Sequence, residues 1–173
     1  MNWIEKVRYL KERLEKKDYD QEKYFIDVSY NASKWIPTEL ETILKLYPFV
    51  SKSYIEFAKE FDNLGLSFVT FYGSKAIKGL VLQEEITELT EYGFSKEYFP
   101  FAKDPAGSVF AIAEDGSILY FDIDDYEFAN PQKLANSFEE FIDECVLGKR
   151  YTEFDSIENN TYYNFLKSLG WME

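Results

Sequence analysis

The chain has 173 residues, 46% hydrophobic and 19% aromatic, with no histidine and one cysteine. That length suits one domain that buries about 70% of the surface its unfolded form exposes, with no need of disulfides or a structural metal, and so many aromatics exclude wholesale disorder. The net charge of −13 disfavours nucleic acid and anionic membrane as direct partners and favours a basic one.

The excess charge is uneven. Residues 1–83 carry 13 basic and 12 acidic side chains, and residues 84–173 carry 6 and 20. Acidity also serves solubility alone, so charge by itself leaves both readings open. A lone cysteine, Cys145, permits no intramolecular disulfide and suits a reducing compartment. Charges interrupt the opening Met1-Asn2-Trp3-Ile4-Glu5-Lys6, so no secretory signal is expected. No stretch reaches the ~20 apolar residues of a membrane span. The expectation is a soluble, cytoplasmic protein.

In chain order, Trp3, Val7, Leu10 and Leu14 recur at helical spacing and predict a first helix ending near Lys17. Tyr24–Tyr30, rich in aromatic and β-branched residues, predicts a strand. Thr38 with Glu41 and Ser53 with Glu56 fit capping boxes, in which hydroxyl and carboxylate each satisfy a free N–H at a helix start. They open helices ended by Pro48 and by Gly65. Leu66–Tyr72 and Gly79–Gln83 predict strands about a turn at Gly73-Ser74-Lys75. Glu84–Tyr92 fits either a short helix or an extended connection.

Tyr98–Ala102, Ser108–Ala113 and Ile118–Ile123 then predict an antiparallel meander. Its second turn, Glu114-Asp115-Gly116-Ser117, carries the Asp-Gly pair that favours the positive φ of a tight hairpin. Asn130-Pro131 marks a loop. Ser137 with Glu140 is a third capping box, opening a helix with the apolar stripe Phe138, Phe141, Ile142, Cys145 and Val146. Thr161–Leu169 predicts the last helix. Helices, then strands, then helices make an α+β protein, and no linker or repeat divides residues 1–173.

Catalytic signatures are scarce. Without histidine, neither Ser-His-Asp nor Cys-His catalysis nor a Cys/His zinc site can be built within the chain. Cys145 on an apolar stripe reads as core. Gly73-Ser74-Lys75-Ala76-Ile77-Lys78-Gly79 has the residues of a phosphate loop in the wrong order. The run Asp122-Ile123-Asp124-Asp125-Tyr126-Glu127 fails as a calcium loop, which needs Gly at 127 and Glu at 133, where Glu127 and Lys133 stand. It reads as a solvated loop or as a partner-binding edge. The candidate partner-binding residues are Glu114, Asp115, Asp122, Asp124, Asp125, Tyr126 and Glu127. Tyr120, Tyr126 and Phe128 are candidates for aromatic anchors or for core. No cofactor, metal, membrane, nucleic-acid or small-molecule site is expected.

Three blocks carry a family resemblance. Pro37-Thr38-Glu39-Leu40-Glu41 through Tyr47-Pro48, Tyr54-Ile55-Glu56-Phe57 and Asn63-Leu64-Gly65 form the first. Phe99-Pro100-Phe101-Ala102-Lys103-Asp104-Pro105-Ala106-Gly107-Ser108, Phe110-Ala111-Ile112 and Gly116-Ser117-Ile118-Leu119-Tyr120 form the second. Leu134-Ala135-Asn136-Ser137-Phe138-Glu139-Glu140-Phe141-Ile142 forms the third. In order and spacing they resemble the SUKH superfamily, which includes a fungal cell-wall-synthesis regulator and many bacterial immunity proteins. The resemblance spans about residues 35–150 and leaves out the N-terminal helix (about 1–18) and the tail. Where members tend to carry Trp near the glycine turn, this chain has Phe68 and Phe71, so no pocket role is carried over. The resemblance implies a mainly antiparallel mixed sheet flanked by helices. It implies a non-enzymatic role: immunity against a toxin, often a nuclease, or alternatively regulation as an intracellular adaptor of a housekeeping or cell-wall-synthesis partner.

Overall fold

The computed structural model describes residues 1–15, 37–61, 63–74, 81–125, 128–154 and 161–172. The expected strand Tyr24–Tyr30, the end of the first helix near Lys17, and Tyr126 and Glu127 lie outside them. Helix α1, Trp3–Glu15, opens on a capping box the sequence reading missed. The Glu5 N–H donates to Asn2 Oδ1 at 3.0 Å, and the Asn2 N–H donates to Glu5 Oε2 at 2.9 Å. Its Val7 and Leu10 are buried.

Two of the expected caps move. Helix α2 runs Pro37–Leu46, with proline at its first position, where a missing N–H costs nothing; Thr38 is therefore already inside. Helix α3 runs Lys52–Glu60 and is capped by Ser51, whose hydroxyl accepts from the Tyr54 N–H at 3.3 Å. Ser53 is buried within it, 2.9 Å from the Ser51 hydroxyl. The chain leaves α3 through Asn63 at φ 52°, a left-handed conformation that Asn tolerates, and Gly65 begins a strand instead of ending a helix.

Among the described residues six strands form one antiparallel sheet in the order β1 to β6. The expected strand Leu66–Tyr72 is two, β1 (Gly65–Leu66) and β2 (Val69–Phe71), folded about Ser67 at φ 54°. Of the expected strand Gly79–Gln83, residues 79 and 80 lie outside the described residues, and Leu82 and Gln83 open a helix instead, α4 (Leu82–Glu91). Leu82 and Ile86 are both buried at helical spacing, which settles Glu84–Tyr92 as helix. Gly73 and Val81 form an isolated parallel bridge, among the described residues the one departure from antiparallel pairing.

The meander forms as expected, as β3 (Tyr98–Lys103), β4 (Val109–Ala113) and β5 (Ile118–Phe121). Gly107 and Gly116 take φ 100° and 84° in its two turns. The β3–β4 register shifts between Pro100 and Ala102, a bulge at the proline that lacks a ladder donor. Strand β6, Gln132–Ala135, pairs with β5 where only a loop was read.

Ser137 caps the next helix as predicted, accepting from the Glu140 N–H at 3.1 Å. The Glu140 carboxylate instead accepts from Asn136 N and Nδ2, each at 2.9 Å. This helix, α5 (Phe138–Glu140), widens into a π-helical turn over Phe141–Val146. It ends at Gly148, where any Cβ would collide with the Asp143 carbonyl. Phe138, Phe141, Ile142, Cys145 and Val146 are all buried. Burial pushes the Cys145 thiol up to about 12, as a core residue requires. A 3₁₀ turn at Lys149–Glu153 and helix α6, Thr161–Ser168, close the fold.

Alternation along β4 separates two cores. Phe110 and Ile112 join the larger cluster with Val7, Leu40, Tyr54, Phe57, Phe138 and Leu166 from five helices. Val109 and Ala111 face the other way and pack with Phe94 and Phe121, flanked by Leu89, Tyr98, Leu119 and Phe128.

Candidate partner-binding surface

The sequence-predicted acidic residues fall into two groups. Glu114 and Asp115 occupy the β4–β5 turn, and Asp122, Asp124 and Asp125 follow the other end of β5. The four residues of β5 keep the groups about 13 Å apart at the rise of a strand, so they do not form one continuous cluster. Glu114, Asp115, Asp122 and Asp124 are exposed and Asp125 is half-buried.

Several of these carboxylates shape their own turns. Asp115 Oδ1 accepts from the Ser117 hydroxyl at 2.6 Å and from its N–H at 2.9 Å. These bonds hold the Asp115 carboxyl below its ordinary value. Asp122 Oδ1 accepts from the Asp124 N–H at 2.9 Å, and Asp125 accepts from the Asn130 N–H at 2.8 Å. The candidate anchors divide differently. Tyr120 donates its hydroxyl to Asp104 Oδ2 at 2.9 Å. Phe128, at φ 54°, packs its ring 5.2 Å from Phe94.

The sequence reading missed what stands opposite the second group. A groove of about 800 Å³ runs between α4 and the return after β5, described at Ile123, Asp124, Asp125 and Phe128. Asp124 and Asp125 line one side, with Ile123 and Phe128. Glu85, Glu88, Leu89 and Tyr92 line the other, and Tyr72, Lys103 and Val109 complete it. Glu85 is only 8% exposed and is paired with Lys103 at 3.4 Å. Burial raises the Glu85 carboxyl above its ordinary value, with Lys103 opposing. Burial, then the Glu85 charge, raises the Tyr72 phenol well above its own. The only sequence signal for this wall was the acidic run Glu84-Glu85 to Glu88, some 35 residues from the return.

Asp104 fixes the β3–β4 turn whose Gly107 lines the groove. Its Oδ1 accepts from the N–H groups of Ala106, Gly107 and Ser108 at 2.8–2.9 Å. The turn so fixed holds the return: the Ile123 N–H donates to Ser108 Oγ at 3.1 Å, and a Cβ on Gly107 would meet Ile123 Cδ1 at 3.1 Å. Among the described residues no acidic or cysteine cluster is arranged to hold a metal ion, and no helix is long and apolar enough to cross a membrane.

A model of the SMI1/KNR4 family (SUKH-1) matches residues 6–144. The chain belongs to the SMI1/KNR4 family. The match takes in most of α1, which the sequence resemblance had left outside, and all six strands with both walls of the groove. The 3₁₀ turn and α6 of this SMI1/KNR4-family chain lie beyond it. No individual curated protein matches the chain significantly.

Proposed function

We propose that this SMI1/KNR4-family chain is a non-catalytic immunity protein of the cytoplasm that binds and neutralises a basic toxin of an interbacterial competition system, with a nuclease as the fitting class. The observation that carries this reading is the concentration of carboxylates on the second half of the chain, net −14 over residues 84–173, within a family associated with immunity and regulation. A nuclease needs a basic cleft to hold phosphates, and an acidic surface competes for that cleft. Opposed charges also speed encounter. Asp122, Asp124 and Asp125 are the proposed steering residues, with Tyr126 and Glu127 beside them in sequence; Glu114 and Asp115 form a second contact beyond β5.

The test co-expresses the chain with the toxin encoded by a neighbouring gene. Rescue of growth and recovery of a complex support immunity. Capture of housekeeping proteins alone, with no rescue, moves the assignment to a regulatory adaptor. Replacing Asp122, Asp124 and Asp125 by Asn should lower the association rate about tenfold at low salt and flatten its salt dependence. Unchanged stopped-flow kinetics would remove these residues from the interface.

A further inference from the structure

Three features of the groove between α4 and the residues after β5 go beyond its acidity. First, its lining joins carboxylates to aromatic and aliphatic surface. Glu88, Asp124 and Asp125 stand with Tyr92, Phe128 and Ile123, and among the described residues of the lining the one cation, Lys103, is paired with Glu85. Second, large exposed apolar side chains border it. Tyr92 is 69% exposed and Ile123 50%; among the described residues the other exposed large hydrophobics are Met1 and Leu46, outside this lining. Third, the Tyr72 hydroxyl, on a residue only 3% exposed, stands beside the Glu85 carboxylate, and Lys103 Nζ lies 5.8 Å from the centre of the Tyr72 ring.

We infer that this groove seats an arginine-bearing segment of the protein partner. The inference rests on the reading of the chain as a partner-binding protein and names what the partner presents. Guanidinium is the cation that fits. It is planar and weakly hydrated, stacks on aromatic faces and donates in pairs to carboxylates. A lysine ammonium is a strongly hydrated point charge that uses only the acidity. Tyr92 offers an exposed ring and Phe128 a half-buried one, Glu88 and Asp124 offer exposed carboxylates, and Ile123 accepts aliphatic neighbours of the arginine. Among the described residues the surplus of carboxylates over Lys103 leaves the lining negative, and an arginine supplies a matching positive charge. The strained φ of Phe128 is consistent with a ring held in place for contact, since such backbone persists only where its surroundings enforce it.

The experiment titrates the ¹⁵N-labelled full chain with a capped hexapeptide alternating leucine and arginine, and with its lysine and citrulline counterparts. The arginine peptide should shift the amides of 82–91, 107–109 and 123–125 together and saturably. The lysine peptide should bind at least about threefold more weakly, and the uncharged citrulline peptide should show no saturation. The double variant E88Q/D124N, with both side chains exposed and its folding checked by thermal midpoint, should lose at least about tenfold in affinity, while E114Q at the far turn should lose none. Equal affinities for the arginine and lysine peptides, shifts centred on Glu114–Asp115, or an unaffected E88Q/D124N would each overturn the inference. The two proposals fail separately. A toxin bound equally well by E88Q/D124N removes the groove and leaves immunity standing; an arginine peptide seated in the groove of a chain that protects against no toxin does the reverse.

Discussion

The two faces of β4 have opposite characters. Phe110 and Ile112 look into the larger cluster, where buried rings stack against helices from both ends of the chain. Val109 and Ala111 look the other way, into a small cluster of Phe94 and Phe121 that merges into a groove rimmed by Glu88, Asp124 and Asp125. Residues one apart in sequence thus serve different ends. The first face has the buried apolar area to set stability, since area removed from water is the main favourable term in folding. The second face keeps large side chains such as Tyr92 and Ile123 in solvent, which folding alone does not reward and a partner would.

The sharpest way to break this comparison is at the first face. Phe101 is fully buried, with its ring 5.5 Å from Phe138 and 5.8 Å from Phe141. Phe101→Ala should cost about 3–5 kcal/mol in chemical denaturation, while the folded fraction keeps its affinity for the arginine peptide. A loss of affinity at full folding would show that the faces are not independent.

Asp104 tests the connection between them, because one carboxylate holds three backbone N–H groups and the Tyr120 hydroxyl. Asp104→Ala should cost about 1.5–3 kcal/mol and also weaken peptide binding, through the loosened Ile123 contact. An unchanged affinity would mean that the return is positioned without the turn beneath it.

The smallest expected effect lies at the Asp115 turn. Its carboxyl is lowered by Ser117, so its contribution is present above the unfolded value, near about 4, and is lost as pH falls through the lower folded value. Stability measured against pH for wild type and Asp115→Asn should differ by a constant amount above about pH 5 and converge as pH falls through the lowered folded value. Parallel curves through the acid range would discount the Ser117 bonds.

The meander from Tyr98 to Phe121 was legible because its signals are local: apolar runs, and a turn whose Asp115-Gly116 pair states its own geometry. The helix stripe through Cys145 was legible for the same reason. Strand β6 was not, because Gln132 and Lys133 face solvent and the pairing that makes them a strand comes from β5. Leu82 read as strand because a short apolar run fits a strand or a helix equally; the spacing to Ile86 decided it only once burial was known. Of the groove's lining, the sequence reading had singled out Asp124 and Asp125. The facing wall of Glu85, Glu88 and Tyr92 was not legible, since nothing local in the sequence says that α4 lies across from the return.

The strand order carries a consequence for how the molecule assembles. Among the described residues each strand hydrogen-bonds only to its neighbours in sequence, so the sheet can grow by successive short closures in the order of synthesis. The loop-closure cost rises slowly with loop length, and the longest connection in the sheet is that from β2 to β3, which contains α4. That step sets one wall of the groove in place as it joins the first hairpin to the meander. Refolding should therefore be limited by docking of β2 on β3 more than by pairing within the meander, and the groove would become complete only at that late closure.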